Sequence, residues 1–183
     1  MNVPKANLFR IDLSDTSLLE ANFQEADLGF ANFQDARLND ANLSNANLGR
    51  ANFESASVTR ASFQEANLSG ANFSDVYLVV ADFSDAHLSG ANFQNANLTS
   101  VNLQNTDLIS ANFQSTYLGN ARLQNADLLK ADLRKANLEG AYLPDSALRE
   151  ANLQNADLTQ ADLRNTYLWG VESRSINRAS RRI

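Results

Sequence analysis

A repeat of five residues runs through almost the whole chain. Residues whose numbers leave a remainder of three on division by five are apolar from Leu8 to Leu168: of these 33 positions, 24 are Leu, eight are Phe and one is Val58. Two residues before each of them stands a small or β-branched residue, which is Ala at 25 of the 33 positions from Ala6 to Thr166. Because the phase never slips, this repeat constrains the fold more than any other feature.

A period of five fits neither regular secondary structure. An α-helix would spread the Leu positions around its surface, and a strand would send alternate ones to opposite faces. They can all be buried together only if each pentapeptide turns the chain by a fixed angle, with the large residue and the small residue pointing inward. The three other residues of each pentapeptide then face water.

The repeat resembles the A-(D/N)-L-x-x signature of the pentapeptide-repeat family, as in Ala21-Asn22-Phe23. The resemblance covers residues 6 to about 170 and implies an all-β fold, a right-handed quadrilateral β-helix with four pentapeptides per coil. Its 33 repeats imply about eight coils, so at roughly 4.8 Å per coil the rod is roughly 40 Å long. We expect residues 1–170 to form this solenoid and residues 171–183 to form a cap, a short helix or a basic tail.

The Phe residues of the repeat are confined to two opposite sides of such a coil, since all of their numbers end in three. The other two sides carry Leu, with Val58 as the exception. A square core too narrow for four rings in one layer would produce this distribution. The predicted aromatic core is Phe23, Phe33, Phe53, Phe63, Phe73, Phe83, Phe93 and Phe113.

The outward positions differ between the two pairs of sides. The Phe-bearing sides are regular and polar: the side centred on Phe33, Phe53 and Phe73 has a run of Asn before its centres, and both sides have mostly Gln, Glu or Ser after them, which is typical of solvating amide ladders. The Leu-bearing sides carry stacked apolar residues, and such sets often mark an interface. The candidate interaction surface is Tyr77, Val79, Val80 and Tyr117 on one of them, and Ile109, Leu129, Tyr167 and Trp169 on the other.

The sequence offers little for catalysis or for binding a cofactor. Cys is absent, and the single His, His87, lies in an outward row next to Asp107. A nucleophile would have to be Ser69 or Ser89, and no pocket or oxyanion donor is implied. There is no Gly-rich phosphate loop, no paired-His motif and no adequate metal-ligand set. We therefore expect a protein that is not an enzyme and has no cofactor.

The charge is acidic and uneven. Residues 1–120 hold 5 Lys and Arg against 13 Asp and Glu, and no Lys or Arg lies between Arg60 and Arg122. Direct binding of nucleic acid needs a basic footprint, which this body lacks. No apolar stretch approaches a membrane span, and no apolar signal region follows the first residues. With Cys absent, these features favour a cytoplasmic protein that does not act at a membrane.

Two functions remain open at this stage. The first is a scaffold that binds an unidentified protein partner, as in many bacterial and especially cyanobacterial relatives, either as a monomer or as a homodimer formed through an exposed apolar side or the C-terminal end. The alternative is a DNA mimic that binds a type II topoisomerase, as in the quinolone-resistance members that this family includes. The acidic stretch 61–120 is compatible with mimicry, whereas the modest charge and the uninterrupted repeats count against it.

Overall fold

The computed structural model describes residues 1–173, and nearly every pentapeptide in that range has the same backbone. The residue before each repeat centre forms an isolated parallel β-bridge with the residue twenty positions later, from Asn2 with Asn22 to Asn152 with Glu172. The described residues contain no helix, and no strand longer than one bridge residue. Four pentapeptides therefore make one coil, and the chain is a right-handed quadrilateral β-helix, as the sequence predicted.

The repeat pattern continues to the end of the described range. The Leu153 amide donates to the Glu172 carbonyl of the last coil at 2.7 Å. The predicted C-terminal cap, helix or tail falls mainly on residues 174–183, which lie outside the described residues. Within the described part of the chain, no helix is long and apolar enough to cross a membrane.

We number the four sides in chain order by the residue at their centres. Side 1 has centres 3, 23, 43 and so on to 163, and side 2 has centres 8, 28, 48 and so on to 168. Side 3 has centres 13 to 173 and side 4 has centres 18 to 158, again in steps of twenty. Sides 1 and 3 are opposite each other, as are sides 2 and 4.

Hydrogen bonds between coils satisfy the backbone on every side. The Phe33 amide donates to the Asn52 carbonyl of the following coil at 2.7 Å, and the Asn32 amide donates to the Ile11 carbonyl of the preceding coil at 2.9 Å. Because these bonds recur at each repeat, the buried backbone N–H and C=O groups are paired, although each strand consists of a single bridge residue.

Tight turns form the corners of the coil. Most are closed by a backbone hydrogen bond, such as the 3.0 Å bond from the Ala26 amide to the Phe23 carbonyl. The third turn residue has a φ between 54° and 73° at every corner from Lys5 to Gly170. Such a positive φ is typical of type II turns, which favour Gly or Asn there. The β-branched Val80, at φ 60°, is the least favourable occupant.

Phe rings fill the core between sides 1 and 3. Along each of these sides neighbouring rings stack, with centroids 4.5 to 5.0 Å apart. Rings from the two opposite sides meet edge to face at 5.7 to 6.3 Å. Both are favourable aromatic geometries. The fully buried rings are Phe23, Phe33, Phe53, Phe63, Phe73, Phe83, Phe93 and Phe113.

The small residue two positions before each centre is also buried in most coils. Where Thr or Ser replaces Ala, the hydroxyl donates to a backbone carbonyl, in its own turn at most positions and, for Thr116, to the Phe93 carbonyl of the preceding coil. Thr106 Oγ1 donates to the Leu103 carbonyl and Ser146 Oγ donates to the Leu143 carbonyl, each at 2.7 Å. These bonds explain how polar residues fit a corner that otherwise requires Ala.

Candidate interaction surfaces

On side 3, the Asn residues before the repeat centres form a hydrogen-bonded ladder along the rod. Each Nδ2 donates to the Oδ1 of the Asn one coil earlier, over 2.9 to 3.2 Å. Each Oδ1 also accepts the backbone amide two residues later, as Asn32 does from Gln34. The ladder runs through Asn32, Asn52, Asn72, Asn92 and Asn112.

Aspartate marks the ends of this ladder, because a carboxylate accepts hydrogen bonds but does not donate them. At the N-terminal end, Asp12 accepts the Asn32 amide at 3.0 Å. At the other end Asp132 bonds to the guanidinium of Arg134 in its own coil. A shorter ladder, which the sequence analysis did not predict, joins Asp27, Asn47 and Asn67 on side 2.

The predicted apolar set on side 4 centres on two tyrosines in one outward row. Tyr77 is 60% and Tyr117 56% exposed, and they lie two coils apart with Asn97 between them. The space between the rings is a cavity of about 290 Å³, lined also by Asp75 and Asn95. We call this the Tyr77–Tyr117 slot.

The two valines of the predicted set, Val79 and Val80, differ in exposure, and neither is among the residues that line the slot. Val80 is exposed at the corner, whereas Val79 is half-buried between neighbouring coils. The slot therefore has two tyrosine walls above a polar floor of Asp75, Asn95 and Asn97. This combination suits an inserted apolar or aromatic side chain that carries a hydrogen-bonding group.

The predicted set on side 2 does not form one continuous patch. Ile109 and Leu129 lie in adjacent coils of one row and are half-buried. Tyr167 and Trp169 lie near the C-terminal end of the described chain and are 63% and 74% exposed. Arg149 occupies the coil between Leu129 and Trp169 in the same row.

Sequence reasoning missed an exposed aromatic cluster at the N-terminal end of side 2. The Phe9 and Phe30 rings meet edge to face at 5.6 Å, and they are 47% and 43% exposed. The Arg10 guanidinium carbon lies 5.3 Å from the Phe9 centroid and 5.4 Å from that of Phe30. The signal was present in the sequence, since Phe9 and Phe30 are the two of ten Phe residues that fall outside the repeat centres.

A second arginine completes this cluster. The Arg50 guanidinium carbon lies 5.6 Å from the Phe30 centroid, so Phe30 has a cation on each side along the rod. Next to the rings lies a shallow cavity of about 320 Å³ that includes Gly29 and Gly49. A Cβ at Gly29 would approach the Phe9 ring to 3.1 Å, so this glycine makes room for the ring.

The described residues hold no arrangement that suits catalysis by the single histidine. His87 is exposed, and the Ser89 hydroxyl donates to both oxygens of Asp107 at 3.0 Å. The hydroxyl is therefore directed at a carboxylate and not at the imidazole. Within residues 1–173 no group of three or more Asp, Glu or His side chains could hold a metal ion.

Ion pairs lie on the surface of the rod. Arg60 Nε and Nη2 both donate to Asp40 at 2.7 Å, and these hydrogen bonds lower the pKa of that carboxyl. Hydrogen bonds from Arg134 likewise lower the pKa of Asp132 below its ordinary value. Because the pairs are exposed or half-exposed, solvent screens them and they contribute little to stability.

Two family models match the chain. One, described as a pentapeptide repeat region, matches residues 6–83 and 56–133. The other, described as pentapeptide repeats (8 copies), matches residues 131–170. Together they cover residues 6–170, and the chain belongs to the pentapeptide-repeat family.

Solved structures of this family have the same fold. One is HetL, a pentapeptide repeat protein involved in heterocyst differentiation regulation, from the cyanobacterium Nostoc sp. strain PCC 7120. Its sequence is 29% identical to that of this chain, and the two structures match with a TM-score of 0.51 over 92% of this chain and 87% of HetL. Another is full-length QnrB1, a plasmid-mediated fluoroquinolone resistance protein, which is 16% identical, with a TM-score of 0.53 over 97% of this chain and 93% of that chain. No curated protein sequence matches the chain. These likenesses agree with the fold of the described chain.

Proposed function

We propose that this chain is a non-enzymatic interaction protein whose rigid rod presents the Tyr77–Tyr117 slot to a protein partner. The observation that carries the proposal is the pair of tyrosines, each more than half exposed, on either side of a cavity. Tyrosine supplies a large apolar ring and a hydroxyl at low entropic cost, and for this reason it is enriched at the energetic centres of interfaces.

The dimensions of the slot favour a side chain over a small-molecule ligand. Two rings in one row, two coils apart, are separated by roughly 9.6 Å, which leaves room for one inserted side chain between them. The slot is open to solvent, whereas small-molecule sites enclose most of their ligand. The surrounding stretch 61–120 has no Lys or Arg. We therefore expect the partner to present an aromatic or apolar residue flanked by basic residues.

The filled core supports a role without catalysis. Large side chains occupy the interior along the whole rod, and the cavities of the described chain are shallow surface features. Of the two candidate nucleophiles, Ser89 donates its hydroxyl hydrogen bond to Asp107, and Ser69 donates to Asn67. A rod of this kind offers its sides for recognition and has no enclosed site in which a reaction would be shielded from water.

The test is cross-linking of the full chain in lysate from its native host, followed by mass spectrometry of the cross-linked peptides. A Tyr77→Ala, Tyr117→Ala double variant should capture the partner at least tenfold less than wild type, since each tyrosine is expected to contribute about 1 kcal/mol or more. Tyr142→Ala, which removes a partly exposed tyrosine from side 1, is the matched control and should leave capture unchanged. Equal capture by the double variant and wild type would refute the proposal.

Mimicry of duplex DNA is the second candidate, and the lack of Lys and Arg in 61–120 is the observation in its favour. The stretch has only five carboxylates, and four of them, Asp75, Asp82, Asp85 and Asp107, accept hydrogen bonds from neighbouring side chains. The charge density of this stretch is low compared with that of duplex DNA, which carries one phosphate charge per roughly 1.7 Å of its axis. A gyrase supercoiling assay that shows no change at micromolar excess of this protein would exclude mimicry.

A further inference from the structure

The three coils that form the Tyr77–Tyr117 slot carry a single charged side chain on side 4 and its two corners. These coils contribute residues 74–80, 94–100 and 114–120, which include one Asp and no Glu, Lys, Arg or His. The Asp is Asp75, which is exposed and lines the cavity between the tyrosines. The charge of the slot is therefore one carboxylate at its edge.

A neighbouring amide holds this carboxylate at the corner between sides 3 and 4. Asn95 Nδ2, one coil later, donates to Asp75 Oδ1 at 3.2 Å. No cation of the described residues lies within ion-pair distance of Asp75. Its second oxygen, Oδ2, has no donor among the described residues either, so this oxygen is available to a cation from outside the chain.

The opposite flank of the slot, at the corner between sides 4 and 1, has no charge. In the three coils of the slot this corner is occupied by Val80, Ser100 and Asn120. A partner segment that crosses side 4 with one side chain between the tyrosines therefore meets an anion on one flank only. We expect the partner to need a basic residue on that flank and not on the other.

A carboxylate beside an exposed aromatic ring favours arginine over lysine. The N–H groups of a guanidinium donate in its plane to a carboxylate, while its flat face stays free to stack on a ring. A lysine ammonium is compact and strongly hydrated, and it has no such face. Tyr77, which is 60% exposed, lies in the coil of Asp75 and lines the same cavity, so it supplies the ring.

We propose that Asp75 is the specificity-determining residue of the slot and that it binds an arginine two residues from the inserted side chain of the partner. This inference rests on the proposed function and adds the identity of the basic residue and the flank on which it lies. In an extended segment, side chains two residues apart lie on one face, roughly 6.8 Å from each other. Asp75 and Tyr77 are also two residues apart, so the two spacings match.

The first test uses the synthetic peptide Ac-Gly-Arg-Gly-Leu-Gly-NH2, in which Leu is the inserted side chain. It is titrated into the isotope-labelled full chain, and the amide signals of Asn97 and Tyr117 are followed by NMR. Citrulline in place of Arg keeps the shape but removes the charge, and should weaken binding about fivefold. Lysine keeps the charge without the planar group, and should weaken binding about twofold.

Asp75→Asn should abolish this preference, so that the arginine and citrulline peptides bind alike. Asp85→Asn is the matched control, because Asp85 lies at the diagonally opposite corner and accepts Asn105 Nδ2 at 3.1 Å in the same way. The control removes the same charge from the rod and should keep the fivefold preference. Both variants should fold, since Asn tolerates the positive φ of these corners, 56° and 61°.

Three results would overturn the proposal. The first is equal affinity of the wild-type chain for the arginine and citrulline peptides. The second is a preference that Asp85→Asn removes as fully as Asp75→Asn does. The third is no shift at Asn97 and Tyr117 with the arginine peptide at roughly millimolar concentration, the weakest affinity that a specific site of this kind should have.

Capture of the partner from lysate separates this inference from the proposed function. Asp75→Asn should capture about fivefold less partner than wild type, and Asp85→Asn should capture as much as wild type. If Asp75→Asn captures like wild type while the Tyr77→Ala, Tyr117→Ala variant loses the partner, the slot is the binding site and the role of Asp75 is refuted. If all of these variants capture like wild type, the proposed function itself fails.

Discussion

Sides 1 and 3 and sides 2 and 4 share one backbone, yet they differ both inside and outside. Inside, the first pair carries the Phe rings and the second pair carries Leu. Outside, side 3 has an unbroken Asn ladder, whereas sides 2 and 4 carry the exposed Phe30, Tyr77, Tyr117 and Trp169. The difference shows that one backbone accepts both polar ladders and exposed aromatic residues on its outside, because an outward side chain does not enter the core.

The largest effect should come from breaking the aromatic core. Phe73 stacks between Phe53 and Phe93 and meets Phe63 and Phe83 edge to face. Phe73→Ala should lower the free energy of unfolding by about 3–5 kcal/mol, because it removes a ring and leaves a cavity. Urea denaturation followed by circular dichroism measures the loss.

The matched variant for this comparison is Leu78→Ala, which removes a buried side chain from side 4. We expect a smaller loss than for Phe73→Ala, since Leu78 has no aromatic stacking to lose. If the two variants lose equal stability, the Phe-bearing and Leu-bearing sides contribute alike and the comparison fails.

Breaking the Asn ladder should have the next largest effect. Asn72 donates to Asn52 at 3.0 Å, accepts from Asn92 at 3.0 Å and accepts the Ser74 amide at 3.2 Å. Asn72→Ala leaves these partners unsatisfied on a part-buried surface, so the free energy of unfolding should fall by about 1–3 kcal/mol.

Asn97→Ala on side 4 sharpens this prediction. Asn97 accepts hydrogen bonds from the amide and hydroxyl of Thr99, but it is not part of a ladder between coils. The loss in the same urea titration should be smaller than for Asn72→Ala. A loss at Asn97 as large as that at Asn72 would mean that the turn bond, and not the ladder, accounts for the stability.

Relief of backbone strain on side 4 should change the stability of the fold less than the variants above, and it should raise the stability where they lower it. Val80 is a β-branched residue with φ 60°, and a residue held in this region costs of order 1–3 kcal/mol. Val80→Asn should raise the melting temperature, because Asn tolerates a positive φ. Ser100→Asn, one coil later at φ 58°, is the control and should change the melting temperature less. A lower melting temperature for Val80→Asn would contradict the strain argument.

The smallest effect concerns pH. Hydrogen bonds from Arg134 lower the folded-state pKa of Asp132, so this pair stabilises the fold above the unfolded pKa of about 4 and the stabilisation is lost as pH falls through the folded value. Arg134→Gln should lower the melting temperature by about a degree or two near neutral pH, and by less in acid. Arg122→Gln, which removes an arginine without an ion pair among the described residues, should show no such pH dependence.

Most of the fold, but only part of the candidate interaction surface, could be predicted from the sequence. The repeat phase predicted the inward rows because burial of a residue in this coil depends only on its position within the pentapeptide. Exposure of outward residues was harder to predict, since it depends on neighbours one coil away. Val79, Ile109 and Leu129 are therefore half-buried, although all were assigned to an exposed surface.

By itself the sequence determined the five-residue turn, the family and the Phe-bearing pair of sides, because these follow from a strict local period. Tertiary structure decided which outward groups meet. Coil stacking brings residues twenty apart into hydrogen-bonding range, so it joins the Asn side chains into a ladder and directs Ser89 to Asp107. It also brings Phe9, Phe30 and the two arginines together, because the stacked coils set neighbouring corners side by side.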